Sequence, residues 1–210
     1  MKRLLFVICL LIFTIFISAC AQSNTEADES LQEPLEATEE EAESETEETT
    51  VPFDMMVSSG DHDHEVVIMN TEGERTGVAT LEQVEEGVQI HLEAWGLPAG
   101  VHGFHIHEKG LCETPDFESA GGHFNPTDAK HGFDHPEGPH AGDLPNIEVG
   151  EDGTVQETVV ADMVTLEKGE KNSLLQEGGT SLVIHADPDD YVSQPAGNAG
   201  KRIACGVIKN

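Results

Sequence analysis

From about His64 to the C-terminus, apolar residues recur at every second position in short runs separated by Gly, Pro, Asn and Asp. Val88, Ile90, Leu92 and Ala94 alternate with Gln89, His91, Glu93 and Trp95. Successive side chains of an extended chain point to opposite faces, so this run reads as a strand with one buried face. Similar runs lie at Glu65 to Met69, Gly77 to Leu81, Val155 to Ala161, Ser181 to His185 and Ile203 to Ile208. Glu86-Gly87 and Asp152-Gly153 are the expected hairpin turns. No run shows a helical stripe, and the expectation over residues 62–210 is an all-β sandwich or flattened barrel.

The chain ahead of this domain follows different rules. Lys2 and Arg3 precede an apolar run from Leu4 to Ile17, followed by the small-residue site Ser18-Ala19-Cys20. That run is short of the roughly 20 residues a bilayer-spanning helix needs, so residues 1–19 read as a secretory signal peptide. Ile17-Ser18-Ala19-Cys20 resembles the lipobox of bacterial lipoproteins, whose cysteine takes a lipid such as palmitate. A signal peptide cut near an incidental cysteine and an uncleaved anchor helix are the competing readings. Residues 21–54 consist almost wholly of Glu, Ser, Thr, Ala, Gln and Pro, which cannot bury enough apolar area to offset ordering. Residues 20–61 are therefore expected to be a lipidated cysteine followed by an acidic disordered tether. The chain would be exported and held to the outer face of the cell membrane by the lipid alone.

Both parts are acidic. The net charge is −31; residues 26–54 hold thirteen carboxylates and no Lys or Arg, and residues 55–210 hold twenty-eight against eight basic residues. Phosphate binding needs clustered Lys and Arg, so nucleic acid is excluded as a partner. Of the four cysteines, only Cys112 and Cys205 lie in the folded part, and in an exported chain they most simply form a disulfide, two reduced core thiols being the other reading.

The segment from Glu108 to Leu144 breaks the strand pattern and is rich in Gly, Pro, His and Asp. A loop this long inside a compact domain is usually functional or disordered. Just before it, His105 and His107 sit two apart, so on a strand both rings leave from one face while Phe104 and Ile106 take the other. Within it, His123, His131 and His140 are followed by Asp143, and three imidazoles with one carboxylate suit a closed structural zinc site. His105, His107 and His185 would need a second ion, and an all-imidazole set suits copper, which can move single electrons. Ligand types alone give a two-metal site without a substrate.

Several separated segments resemble the copper/zinc superoxide dismutase family, and in particular a bacterial lipoprotein-type member. They are His102-Gly103-Phe104-His105-Ile106-His107-Glu108, Gly122-His123-Phe124-Asn125-Pro126, Lys130-His131-Gly132, His140-Ala141-Gly142-Asp143-Leu144, Val183-Ile184-His185 and the run from Gly197 to Ile208. The resemblance covers roughly residues 64–208 and implies a Greek-key fold with long metal-binding loops. It implies His105, His107, His123 and His185 as copper ligands, and His123, His131, His140 and Asp143 as zinc ligands, with His123 bridging. It further implies Asp189 as the carboxylate joining His105 to His131, Cys112–Cys205 as the disulfide, and Arg202 as the anion-attracting group beside copper. The implied reaction converts superoxide to dioxygen and hydrogen peroxide through a Cu(II)/Cu(I) cycle, with His123 handling a proton. A lipoprotein that binds copper and zinc without significant dismutase activity is the alternative.

Of the remaining histidines, His91 is expected on a strand surface, His102 packed and His135 in a loop, while His62 and His64 read as a solvated pair, with metal capture at the end of the tether as the other reading. Nothing in the sequence separates a monomer from a homodimer.

Overall fold

The computed structural model describes residues 64–210, so the expected signal peptide, Cys20 and the tether, with His62, lie outside the described residues. The strands are β1 (His64–Asn70), β2 (Arg75–Val84), β3 (Gly87–Ala94), β4 (Gly100–His102), β5 (Phe104–His107), β6 (Ile147–Val149), β7 (Val155–Ala161), β8 (Thr180–His185) and β9 (Arg202–Ile208). Seven form one sheet in the order β5-β8-β9-β1-β2-β3-β7, and β4 pairs with β6. Every ladder between them is antiparallel. β4 runs through Gly103 into the edge strand β5, and β6 turns into the opposite edge strand β7, so the small sheet bridges the two edges. The connections β3 to β4 and β7 to β8 join strands that are not neighbours, which is the Greek-key pattern in a flattened barrel.

The period-two runs set the inner face. Val66, Ile68, Ala79, Leu81, Val88, Ile90, Leu92, Phe104, Ile106, Leu182, Ile184 and Ile208 are all buried in one core. Each large aliphatic side chain there contributes about 1.5–3 kcal/mol by leaving water. Their alternates face outward, Trp95 under the Arg75 guanidinium at 5.9 Å among them.

Two sequence expectations need correction, and two strands went unread. The β2–β3 turn is Glu85-Glu86, with Gly87 already paired to Val84. Gly87 is needed for close approach instead: at φ 145°, a Cβ there would collide with the Ala161 carbonyl of β7. The turn at Asp152-Gly153 exists, but it passes from β6 to β7 in different sheets and so is not a hairpin of paired strands. The short strands β4 and β6 are absent from the period-two reading, because three residues are too few to show a period.

At the β5–β8–β9 end the outer face is covered as well. Phe117 and Ala120, the latter in a single 3-10 turn (Glu118–Ala120), pack with Val183 and Cys205 into a second small core. The Cys112–Cys205 disulfide, with Cα atoms 5.7 Å apart, ties this loop to β9. That roof encloses the outward-facing histidines.

Candidate metal centre

β5 presents His105 and His107 on the outer face, opposite Val183 and Ser181 of β8, while Phe104 and Ile106 enter the core. The loop then lies antiparallel along β5, with single bridges from His107 to His123 and from His105 to Asp143. His185 ends β8 and pairs with Arg202 at the start of β9. These pairings bring residues from four parts of the chain into one buried place.

Two clusters result, and they share His123. The first is His105, His107, His123 and His185; the second is His123, His131, His140 and Asp143; within each, the possible ligand atoms lie within 4.8 Å of one another. In the second, Asp143 Oδ1 is approached by Nδ1 of His123 at 2.8 Å, His131 at 3.1 Å and His140 at 3.2 Å. Asp143 Oδ2 accepts the peptide N–H groups of Gly132 at 2.8 Å and His140 at 3.0 Å. In the first, His107 Nε2 and His185 Nε2 face each other at 3.3 Å, and His105 Nδ1 and His123 Nε2 are buried with no hydrogen-bond partner.

Those two orphaned nitrogens test the fit to a metal. A buried polar atom without a partner costs about 1–3 kcal/mol, and a cation accepting imidazole lone pairs removes that cost. The other ring nitrogens are already oriented. His107 Nδ1 donates to the Gly121 carbonyl at 3.0 Å, and His105 Nε2 and His131 Nε2 reach opposite oxygens of Asp189 at 2.8 and 3.0 Å. Fixing one nitrogen of an imidazole aims the other, which is how ligating histidines are held. The donor sets therefore fit metal ions at both clusters.

Titration behaviour agrees with this division. Burial pushes His105 and His107 below their ordinary 6.5, His123 down to about 4 and His185 down to about 3, so these rings are neutral and able to ligate. Burial also opposes the charged form of His131, but hydrogen bonds and charge from Asp143 and Asp189 outweigh it and raise His131 to about 9. Asp143 and Asp189 are held well below the usual carboxylate range, since their histidine hydrogen bonds overcome the burial that favours protonation.

Arg202 stands at the rim. Its Nη1 donates to the Phe117 carbonyl at 2.5 Å and its Nη2 to the Gly121 carbonyl at 2.6 Å, so the roof loop holds the guanidinium in one orientation. Asp116 and Glu118 line the same open cavity of ≈620 Å³ as Lys201 and Arg202.

The leftover histidines among the described residues lie outside both clusters. His102 is buried with its ring nitrogens 2.8 Å from the Pro98 and His185 carbonyls, His91 meets Thr158 on the strand surface, and His135 accepts the Glu137 N–H. His64 opens β1. Sequence reasoning missed the residues that hold the loops together. The Asn146 carboxamide bonds both the N–H and the C=O of Asp189 at 2.9 Å, Tyr191 Oη accepts the Asn146 N–H at 2.8 Å, and Gln194 grips His131. No spacing signal marks them, because each acts on a backbone distant in sequence.

The family model described as copper/zinc superoxide dismutase matches residues 75–208. A protein of Aquifex aeolicus named superoxide dismutase [Cu-Zn] 1 is 60% identical over 143 residues, covering 68% of this chain and 85% of that protein. The crystal structure of a SOD-like protein from Bacillus subtilis superposes with a TM-score of 0.67 at 49% identity, over 69% of this chain and 97% of that one. The Cu/Zn superoxide dismutase from Brucella abortus superposes with a TM-score of 0.57 at 31% identity, over 70% of this chain and 99% of that one. With two histidine clusters sharing one ring on this barrel, the chain belongs to the copper/zinc superoxide dismutase family.

Proposed function

We propose that the chain catalyses disproportionation of superoxide to dioxygen and hydrogen peroxide, with copper at His105, His107, His123 and His185 and zinc at His123, His131, His140 and Asp143. The observation that carries this reading is His123, whose Nδ1 serves the Asp143 cluster while its Nε2 is a buried nitrogen without a partner. Relatives that bear the name copper-zinc superoxide dismutase support it. Copper supplies reversible one-electron exchange between Cu(II) and Cu(I), and zinc a redox-inert charge that keeps one ligand in place.

The chain's own residues do the rest. Arg202 spends two N–H groups on carbonyls, which leaves further guanidinium N–H groups to dock a small anion. Peroxide formation consumes two protons, and His123 Nε2, when its lone pair is not ligating, could hold one and hand it to the outgoing anion. Asp189 fixes the rings of His105 and His131 from behind. Metal binding without significant dismutation is the competing reading, and no geometric feature favours it. A dismutase assay of the copper-loaded protein beside His105→Ala decides between them: equal activity in both sinks the enzymatic reading.

The same proposal extends to location. The basic and apolar N-terminus ending at Cys20 supports export and anchoring to the outer face of the cell membrane. Fractionation of the full chain beside Cys20→Ser tests it, the unaltered chain sedimenting with membranes and the variant not.

A further inference from the structure

The residues of the two clusters differ in how their backbones are held. His105, His107 and His185 lie in strands, His123 and Asp143 lie in bridges to β5, and His140 is fixed by its own turn, its carbonyl accepting the Asp143 N–H at 3.2 Å. His131 has none of these supports. It is fully buried, it belongs to no strand or bridge, and neither its N–H nor its C=O has a backbone partner. Buried peptide groups are nearly always paired, so the partner here carries structural information.

That partner is the Gln194 side chain, 63 residues away. Its Oε1 accepts the His131 N–H at 3.0 Å, and its Nε2 donates to the His131 C=O and to the Val192 C=O, both at 2.9 Å. One carboxamide thus reads the His131 peptide groups as a neighbouring strand would, and it ties them to the loop that carries Asp189. The Gly132 N–H, donated to Asp143 Oδ2 at 2.8 Å, restrains the peptide on one side of His131, and the carboxamide is what holds the His131 N–H itself. The bonds of His131 to Asp143 and Asp189 involve ring nitrogens, and side-chain torsions leave the ring free to tilt if the backbone moves. Space around this ring is also tight: at Gly197, with φ 63°, a Cβ would lie 2.7 Å from His131 Nε2.

We propose that Gln194 is a positioning residue for the zinc-side imidazole of His131, setting the affinity and geometry of that one metal site while leaving the copper cluster unchanged. The inference rests on reading the second cluster as the zinc site. Gln194 touches neither a ligand atom nor the substrate; it acts only through the His131 backbone. Partners that orient a ligand typically govern about 10–100-fold in metal affinity.

The test compares the full chain with Gln194→Ala and Gln194→Glu. The second variant keeps the side-chain size and an acceptor for the His131 N–H, but sets a carboxylate oxygen against two carbonyls. Zinc affinity is measured by chelator competition, and Co(II) substituted at the zinc site reports ligand geometry through its visible absorption. Both variants are expected to bind zinc about tenfold or more weakly, with shifted cobalt bands and copper affinity within about twofold of the original. Should Gln194→Ala fail to fold, Gln194→Glu carries the comparison. Unchanged zinc affinity and cobalt bands, even with lowered thermal stability, overturn the proposal, and so does an equal loss of copper and zinc. Failure of the underlying zinc assignment looks different, because the unaltered chain would then bind neither zinc nor cobalt stoichiometrically.

Discussion

His107 and Arg202 donate to one acceptor: the Gly121 carbonyl oxygen takes His107 Nδ1 at 3.0 Å and Arg202 Nη2 at 2.6 Å. The orientation of a cluster imidazole and one of the two anchors of the rim charge therefore share a single peptide group. Arg202→Lys keeps the charge and loses the planar fork that spans the Phe117 and Gly121 carbonyls. Its kcat/KM for superoxide is expected to fall about tenfold, equivalent to about 1.4 kcal/mol of transition-state stabilisation, in a pulse-radiolysis assay. A rate unchanged in this variant contradicts the docking role.

The loop that carries these peptide groups is also tied to β9 by the disulfide. Cys112 and Cys205 are 93 residues apart, and a link of that span restrains the unfolded chain by about 4–5 kcal/mol in the loop-entropy model. Cys112→Ser is expected to lower thermal stability by several kcal/mol. It should also lower activity per bound copper, because the Phe117 carbonyl loses its anchor. Full activity per copper in the variant would show that the roof positions Arg202 without the bond.

Steering of the substrate by charge is expected to be weak. Residues 55–210 carry twenty-eight carboxylates against eight Lys and Arg, and Asp116 and Glu118 share the cavity with Arg202. Salt screens both the local attraction and the general repulsion, within about 10 Å at 0.1 M. The dismutation rate should stay flat or rise with ionic strength, measured at constant pH. A steep fall would mean that Lys201 and Arg202 dominate the field.

The metal-free domain should be most stable near pH 6.5. His105, His107, His123 and His185 titrate below the ordinary 6.5 when folded, with His123 at about 4 and His185 at about 3, so the unfolded chain binds protons first and stability falls as pH drops below 6.5. His131 titrates the other way, with its folded value raised to about 9, so its contribution is complete below 6.5 and is lost as pH rises toward 9. Urea unfolding of the metal-free protein across pH 4–9 checks both limbs. Zinc bound at His131, as proposed, would replace the proton and remove the alkaline limb.

Much of this was legible in local sequence. The alternation of Val88, Ile90, Leu92 and Ala94 predicts a strand and its buried face because side-chain direction in an extended chain depends only on parity. His105 and His107 share a face for the same reason, and the aperiodic run from Glu108 to Leu144 announced a long loop. The residues that gather into the two clusters were legible through chemistry and through resemblance at separated motifs. Strand order was not, since β9 lies between β8 and β1 through pairings such as Ile68 with Gly206 that no local period encodes.

The pairings that support the site escaped the sequence, even where one member, such as Arg202 or Asp189, was named. Gln194 meets His131 across 63 positions, Asn146 meets Asp189 across 43, and Arg202 meets Gly121 across 81. Each is a side chain satisfying a distant peptide group, and a carboxamide or guanidinium can reach any carbonyl the fold places beside it. The sequence by itself determined the elements, their faces and the donor atoms. Only the tertiary structure decided which backbone each polar side chain would hold, because that choice follows from long-range chain closure rather than residue type.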